Sequence, residues 1–159
     1  MKLTIALAVF GMFASVTAQP LSQRLPKDLP AVVVLAFESK YPQARDVTWD
    51  AELSEGVFIA TFLNGAYFSD AYFDQRGNWI ETVTIIDTAG LPEAVRDEVV
   101  PQLPSATDFF AANCFEKPHG TYYQVSFHQG RREINLVYSP KGELLGTERY
   151  FYAVDSEQN

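Results

Sequence analysis

The chain has 159 residues, with 12 Lys and Arg against 20 Asp and Glu, a formal net charge of −8 at pH 7. That balance argues against nucleic acid as a partner, because a phosphate binder needs a basic stripe to displace counterions. At 47% hydrophobic and 14% aromatic residues, the composition also argues against intrinsic disorder.

Met1-Lys2 makes a minimal basic start, and Leu3 to Val16 is an uncharged apolar stretch of 14 residues. With small residues at Val16-Thr17-Ala18, this predicts a secretory signal peptide over residues 1–18, cut after Ala18. The stretch is too short for a membrane span, and no other approaches the roughly 20 apolar residues a span needs. Gln19 to Asn159 then forms a mature chain of 141 residues, and loss of Lys2 leaves 11 basic against 20 acidic residues, a net −9. Cys114 is the only cysteine, so no intramolecular disulfide can form and packing must supply the stability. Its neighbours Phe109, Phe110, Ala111, Ala112 and Phe115 predict a buried small hydrophobe rather than a reactive thiol. No cysteine follows the signal segment to carry a lipid anchor. The expectation is a soluble protein of the periplasm or the medium.

The mature chain aligns with itself. At an offset of 62, Leu29-Pro30 falls on Leu91-Pro92, Val33 on Val95, Pro42 on Pro104 and Asp46 on Asp108. After three inserted residues near Pro118-His119-Gly120, an offset of 65 places Phe58 on Tyr123, Phe62 on Phe127, Phe73 on Tyr138 and Gly77 on Gly142. The chain thus reads as two copies of one unit, 29–90 and 91–154.

In each unit Leu-Pro opens a helix. Val33, Phe37 and Tyr41, and later Val95, Val99 and Leu103, recur every four residues as a helical face. Val32-Val33-Val34 alone favours a strand, but the charged partner segment Glu93–Gln102 is helical in pattern, and the repeat overrules local propensity. Pro42 and Pro104 end the helices, and Pro101 should shorten or kink the second. Strands follow at 45–50, 56–63, 66–74 and 78–86, then at 107–114, 121–128, 131–138 and 143–152. Asn64-Gly65 is a two-residue hairpin turn, and Gly77 and Gly142 sit in longer turns where positive φ is needed. The expected fold is α+β: two tandem units, each one helix followed by a four-stranded antiparallel sheet.

Alternation sorts the faces. Phe58, Ala60 and Phe62, with Tyr123, Val125 and Phe127, should lie under the helices, as should Ala71 and Phe73 with Leu136 and Tyr138. Phe68, Asp70 and Tyr72, with Glu133, Asn135 and Val137, point the other way, where no further element covers them. Such a face is a protein-binding surface, since aromatics carry much interface energy, or is buried against the other sheet or a second copy, or simply exposes isolated aromatics.

The segments Leu29-Pro30 to Tyr41-Pro42, Val47-Thr48-Trp49, Phe73-Asp74 and Gly77-Asn78-Trp79-Ile80-Glu81-Thr82 resemble the PepSY-like family described as beta-lactamase-inhibitor-like, found mainly in secreted proteins of Bacteroidota. The resemblance covers both units. The second departs from it: Ala111 stands where Trp49 does, Leu144 where Trp79 does, and Pro101 interrupts the helix. It implies the fold of the beta-lactamase inhibitory protein, with sheets joined into one curved surface, and inhibitory or regulatory roles outside the cytoplasm. A fold likeness does not imply inhibition of a beta-lactamase.

No catalytic pattern stands out. There is no nucleophile elbow, no zinc-ligand spacing and no phosphate or dinucleotide loop; a dyad of Cys114 with His119 or His128 is the remaining formal option. Asp46, Asp50, Glu52 and Glu55 gather at one loop, unlike an EF-hand, and read as a solvated acidic loop rather than a calcium site. The sequence therefore predicts a non-enzymatic binding module without a cofactor or metal, engaging another extracytoplasmic protein. Its contact residues are Phe68, Tyr72, Trp79, Tyr122, His128 and Tyr150, with alternation in the fourth strands leaving the facing of Trp79 and Tyr150 open. The alternative function is a small-ligand or calcium-binding envelope protein.

Overall fold

The structure, a computed structural model, describes residues 29–52, 55–102, 110–129 and 131–151. The predicted signal peptide lies outside these residues, as do Leu103 and Pro104. In chain order the elements are α1 (Ala31–Lys40), β1 (Arg45–Glu52), β2 (Val57–Asn64), β3 (Tyr67–Asp74) and β4 (Trp79–Ile86), then α2 (Glu93–Val99), β5 (Phe110–Lys117), β6 (Gly120–Gln129), β7 (Arg132–Tyr138) and β8 (Leu144–Phe151). Short 3-10 turns at Thr88–Gly90 and Val100–Gln102 flank α2.

The expectation of two units, each with its own four-stranded sheet, is corrected here. All eight strands form one antiparallel sheet in the order β1 to β8. The join is β4 with β5, paired from Thr82↔Glu116 through Ile86↔Ala112. The physical reason is that two separate sheets would each leave an inner edge of unpaired N–H and C=O groups, which antiparallel pairing satisfies. The two helices are short additions to a mainly β molecule.

Both helices lie on one side of this sheet. Val33 and Phe37, four residues apart on α1, pack with Phe58, Ala60, Phe62, Ala71 and Phe73. Their burial outweighs the strand propensity of Val32-Val33-Val34, since packing of an amphipathic face supplies most helical stability. Phe37 is the hub, meeting Trp49, Phe62 and Phe73 edge-on at centroid distances of 5.2, 5.0 and 6.3 Å. On α2, Val95 and Val99 pack with Ala112, Val125, Phe127, Leu136 and Tyr138, and Ile86 of β4 joins this second cluster. Pro101 falls in the 3-10 turn that replaces further α-helix, the shortening its missing N–H requires.

Polar groups on the helix side are paired. Thr82, fully buried, takes a hydrogen bond from Trp79 Nε1 at 2.9 Å and shares another with the Tyr41 hydroxyl. Ser69 and Thr84 bond to each other across the ladder at 2.8 Å. Burial pushes the phenols of Tyr41 and Tyr123 up to about 12.

The β3–β4 turn is built by Asp74, whose carboxylate accepts from the backbone of Arg76 and Asn78 and from the Asn78 amide at 2.8 to 2.9 Å. Gly77 has φ +80°, and a Cβ there would come within 2.8 Å of the Val32 carbonyl in α1. Gly142, at φ +81°, stands in the same relation to Ala94 of α2, at 2.6 Å.

Two expectations follow. Gly77→Ala meets both the positive φ and the helix backbone, so it should cost about 1–3 kcal/mol, read as a lower urea midpoint with an unchanged slope. Tyr41 and Tyr123 carry folded pKa values above their unfolded values, so their contribution is complete below about pH 10 and declines as the pH climbs to about 12. Urea unfolding at pH 9 and 11.5 should show that fall; equal midpoints would mean both phenols ionise freely in the fold.

Candidate functional site

The side of the sheet opposite the helices carries no element among the described residues, and the register fixes what it displays. One cross-strand row runs Thr61↔Asp70↔Val83↔Phe115↔Tyr122 and so crosses the β4–β5 join. Beside it, Ile59 pairs with Tyr72 and Tyr72 with Glu81, while Leu63 pairs with Phe68. Further along, Ile85↔Asn113↔Gln124↔Val137 forms the next row. The rows Ala111↔Ser126↔Asn135↔Glu148 and His128↔Glu133↔Tyr150 complete the face. It is divided by chemistry: aromatic and aliphatic with an acidic rim over β2–β6, polar and acidic over β6–β8.

Five of the six residues chosen from the sequence lie on this face. Phe68 and Ile85 are 59% and 60% exposed. Tyr72 is half-buried, and burial, followed by the charges of Asp70, Glu81 and Glu52, raises its pKa. Tyr122 stacks face to face on Phe115, with centroids 4.7 Å apart and planes 4° from parallel. His128 and Tyr150 flank Glu133 from either side, and the Tyr150 hydroxyl donates to Glu148 at 2.8 Å, a bond that raises the phenol's pKa.

Trp79 lies on the opposite side. It packs against the α1 cluster, donates to Thr82 and has the Lys40 ammonium 3.6 Å from its ring centroid, a cation–π contact that ties the end of α1 to β4. The cause is a bulge: Tyr72 pairs with Glu81 but Phe73 with Trp79, so Ile80 is extra and the alternation reverses. Sequence reasoning missed Phe115 and Ile85. Phe115 fell beyond the strand predicted to end at 114, and β5 in fact continues to Lys117.

The electrostatics of the face are one-sided. Asp50, Glu52, Asp70, Glu81, Glu133 and Glu148 occupy its strand positions; of the cations there, Lys117 is ion-paired with Glu81 at 3.0 Å, and Arg45, opposite Leu63, donates to the Gly65 carbonyl at 3.2 Å. Asp70 accepts from the Thr61 hydroxyl at 2.6 Å. A cavity of about 240 Å³ opens between Glu52, Glu55, Val57, Tyr72, Ile80 and Glu81. A larger recess, about 630 Å³, lies on the helix side, where Phe37, Tyr41, Val47 and Trp49 line the space between α1 and β1. Among the described residues no group of three or more His, Cys, Asp or Glu converges as metal ligands.

Cys114 points to the helix side, half-buried beside Tyr123. Burial raises its thiol pKa, against a smaller lowering by the Tyr123 hydrogen bond. The thiolate is the reactive form, so Cys114 should react with a disulfide reagent at pH 7.5 far more slowly in the folded chain than in urea. Equal rates would place it in an open, activated setting.

Residues 57–146 match the protein-family model described as "Putative beta-lactamase-inhibitor-like, PepSY-like". Among solved structures, a DUF2874 family protein from Bacteroides ovatus is similar at 26% identity over 76% of this chain and 86% of its own, with a TM-score of 0.64. A BLIP-like protein from Bacteroides fragilis superposes with a TM-score of 0.69 at 22% identity, covering 84% of this chain and 94% of its own. A structure from Bacteroides eggerthii, described as "putative periplasmic proteins", aligns at 17% identity and a TM-score of 0.64 over 80% of this chain and 93% of its own. These last two likenesses show the fold alone. Among curated proteins, none matches the chain.

Proposed function

The chain belongs to the beta-lactamase-inhibitor-like, PepSY-like family, and we propose that it is a non-enzymatic binding protein that acts outside the cytoplasm by gripping another protein with its uncovered sheet face. One observation carries the reading: both helices pack on one side of a continuous sheet, and the other side displays Phe68, Tyr72, Ile85, Phe115 and Tyr122 with nothing described over them. Aromatic side chains on an ordered sheet lose little entropy on contact and carry much of the energy at interfaces. His128 and Tyr150 extend the surface over its polar half.

The BLIP-like neighbour favours an inhibitor or regulator of an extracytoplasmic protein. The predicted signal peptide and the periplasmic description of the B. eggerthii structure favour the location. Among the described residues no helix is long and apolar enough to cross a membrane. A duplicated unit, 29–90 and 91–154, accounts for the matched contacts of Gly77 with α1 and Gly142 with α2. A second reading, a small-ligand binder, has the apolar recess between α1 and β1 in its favour.

The test is affinity capture from the envelope and culture medium of the producing organism. The mature chain serves as bait beside two variants, Phe68→Ala/Tyr72→Ala and Trp79→Ala. The expected result is one protein retained by the wild type and by folded Trp79→Ala but lost with the face variant, by tenfold or more in affinity. Retention by the face variant, or an empty capture by folded bait, overturns the proposed surface and turns attention to ligands of the recess.

A further inference from the structure

The polar half of the face contains a side chain whose hydrogen bonding is incomplete. Asn135, in the middle of β7, is only 5% exposed, and its side-chain oxygen has no hydrogen-bond partner. Buried acceptors are nearly always satisfied, and one left unpaired costs stability unless something else uses it. Its cross-strand neighbours are Ser126, 7% exposed, on one side and Glu148 on the other, with Ala111 beyond Ser126. These short side chains make a low floor, bordered on the next row by His128, Glu133 and Tyr150. Elsewhere in the fold, buried hydroxyls such as Ser69, Thr82 and Thr84 are paired, so the exception stands on the face that carries no helix among the described residues.

We propose that this floor receives a lysine or arginine side chain of the partner protein, which donates to the Asn135 oxygen and lies against the Glu148 carboxylate. The inference rests on the reading of the face given above and deepens it. The offered groups, an amide oxygen and a carboxylate with a serine hydroxyl beside them, are chiefly acceptors. An ammonium has three donors and a guanidinium five, whereas a partner carboxylate would find an unpaired acceptor and like charge. The charge of the whole face agrees. Its strand positions carry Asp50, Glu52, Asp70 and Glu81 as well, the chain bears a net −8, and Lys117 is already held by Glu81. Such a field steers a cationic surface inward and opposes an anionic one. Tyr150, 52% exposed and bonded to Glu148, borders the floor; surface side chains rotate in picoseconds to nanoseconds, and entry of the cation requires the side chains around the buried Asn135 oxygen to give way. The adjoining row of Ile85 and Val137, with Phe115 and Tyr122 one row beyond it, makes the occupant a protein segment, with apolar residues set along the chain from the cation, rather than a free amine.

The experiment selects a random linear peptide library on the wild-type mature chain and measures the enriched peptides as synthetic probes. Enrichment of Lys or Arg beside an aromatic or aliphatic residue is expected, with affinity falling as salt rises. Changing that Lys or Arg to Gln should weaken binding tenfold or more. Asn135→Leu should raise the urea midpoint, because the unpaired acceptor is gone, and yet weaken the peptide tenfold or more. Asn135→Asp, which keeps the acceptors, should hold or tighten it, and Glu148→Gln should loosen it; these two variants serve if the leucine variant does not fold. Peptides that lack a basic residue, or that bind Asn135→Leu or Glu148→Gln undiminished, overturn the cation site. If those peptides are still lost with Phe115→Ala/Tyr122→Ala, the face survives as a binding surface. If no face variant affects them, or if nothing is enriched, both readings fall.

Discussion

The β4–β5 pairing is the constraint on which the rest of the molecule depends. The five residue pairs from Thr82↔Glu116 to Ile86↔Ala112 turn eight strands into one sheet, and with one sheet there is one helix side and one open side. The segment between the paired strands must then carry α2 back over the same side as α1. Its start is fixed from the other half: the Tyr67 hydroxyl donates to Asp87 at 2.8 Å, and the Asp87 carboxylate accepts from the Gly90 backbone at 3.0 Å. These bonds, the Tyr67 hydroxyl's first, lower the pKa of the Asp87 carboxyl. Ile86, the last residue of β4, packs in the α2 cluster together with Tyr67 of β3. The two cores are therefore joined through backbone pairing and through side chains at the same place.

That geometry divides the side chains into those that hold the fold and those that do not. On the helix side, apolar groups fill two clusters, and the polar groups Ser69, Thr82 and Thr84 are bonded to one another or to Tyr41 and Trp79. On the open side, large apolar side chains stand exposed and Asn135 is buried but unpaired. Folding alone gains little from Phe68 or Ile85 at 59% and 60% exposure, since the hydrophobic term follows area removed from water. Residues that contribute little to the fold and carry contact chemistry are the ones from which the proposed binding surface is built.

Much of this was legible in the sequence, and the exceptions have causes. Period-two alternation placed Phe58, Ala60, Phe62, Ala71 and Phe73 inside and Phe68 and Tyr72 outside, because β2 and β3 pair without interruption across eight residues. The facing of Trp79 was not legible, since a bulge that leaves Ile80 extra reverses the parity and shows itself only in the pairing. The end of β5 was also misplaced, at 114 rather than Lys117, while its expected start at 107 lies outside the described residues. In the sequence Pro118-His119-Gly120 reads as an inserted loop, whereas Lys117↔Gly120 closes a tight hairpin and lets the strand run three residues further. The union of the two sheets is a contact between segments separated by α2, and local patterning carries no direct signal of it. The unpaired Asn135 oxygen is a property of packing on both sides of β7, beyond the reach of any motif.

The edges of the sheet bear on where recognition can occur. An exposed edge strand pairs through its backbone with little regard to sequence. β1 is poorly suited to that: Asp46 sits at φ +53°, the register slips between Arg45 and Thr48, and charged side chains line the strand. At the other edge, β8 holds Arg132 of β7 over the ring of Phe151, 5.0 Å from its centroid. Recognition by the face, as proposed, would instead work through side chains and be as specific as those side chains are. The solved relatives keep the fold at 17–26% identity with TM-scores of 0.64 to 0.69, so many sequences satisfy the helix side. A surface that the fold does not need is free to differ between such proteins at small cost in stability. A partner carried over from a BLIP-like relative would therefore rest on the part of the molecule least able to specify it, and on the reading proposed above the specificity of this chain would lie in its own aromatic rows and the Asn135 floor.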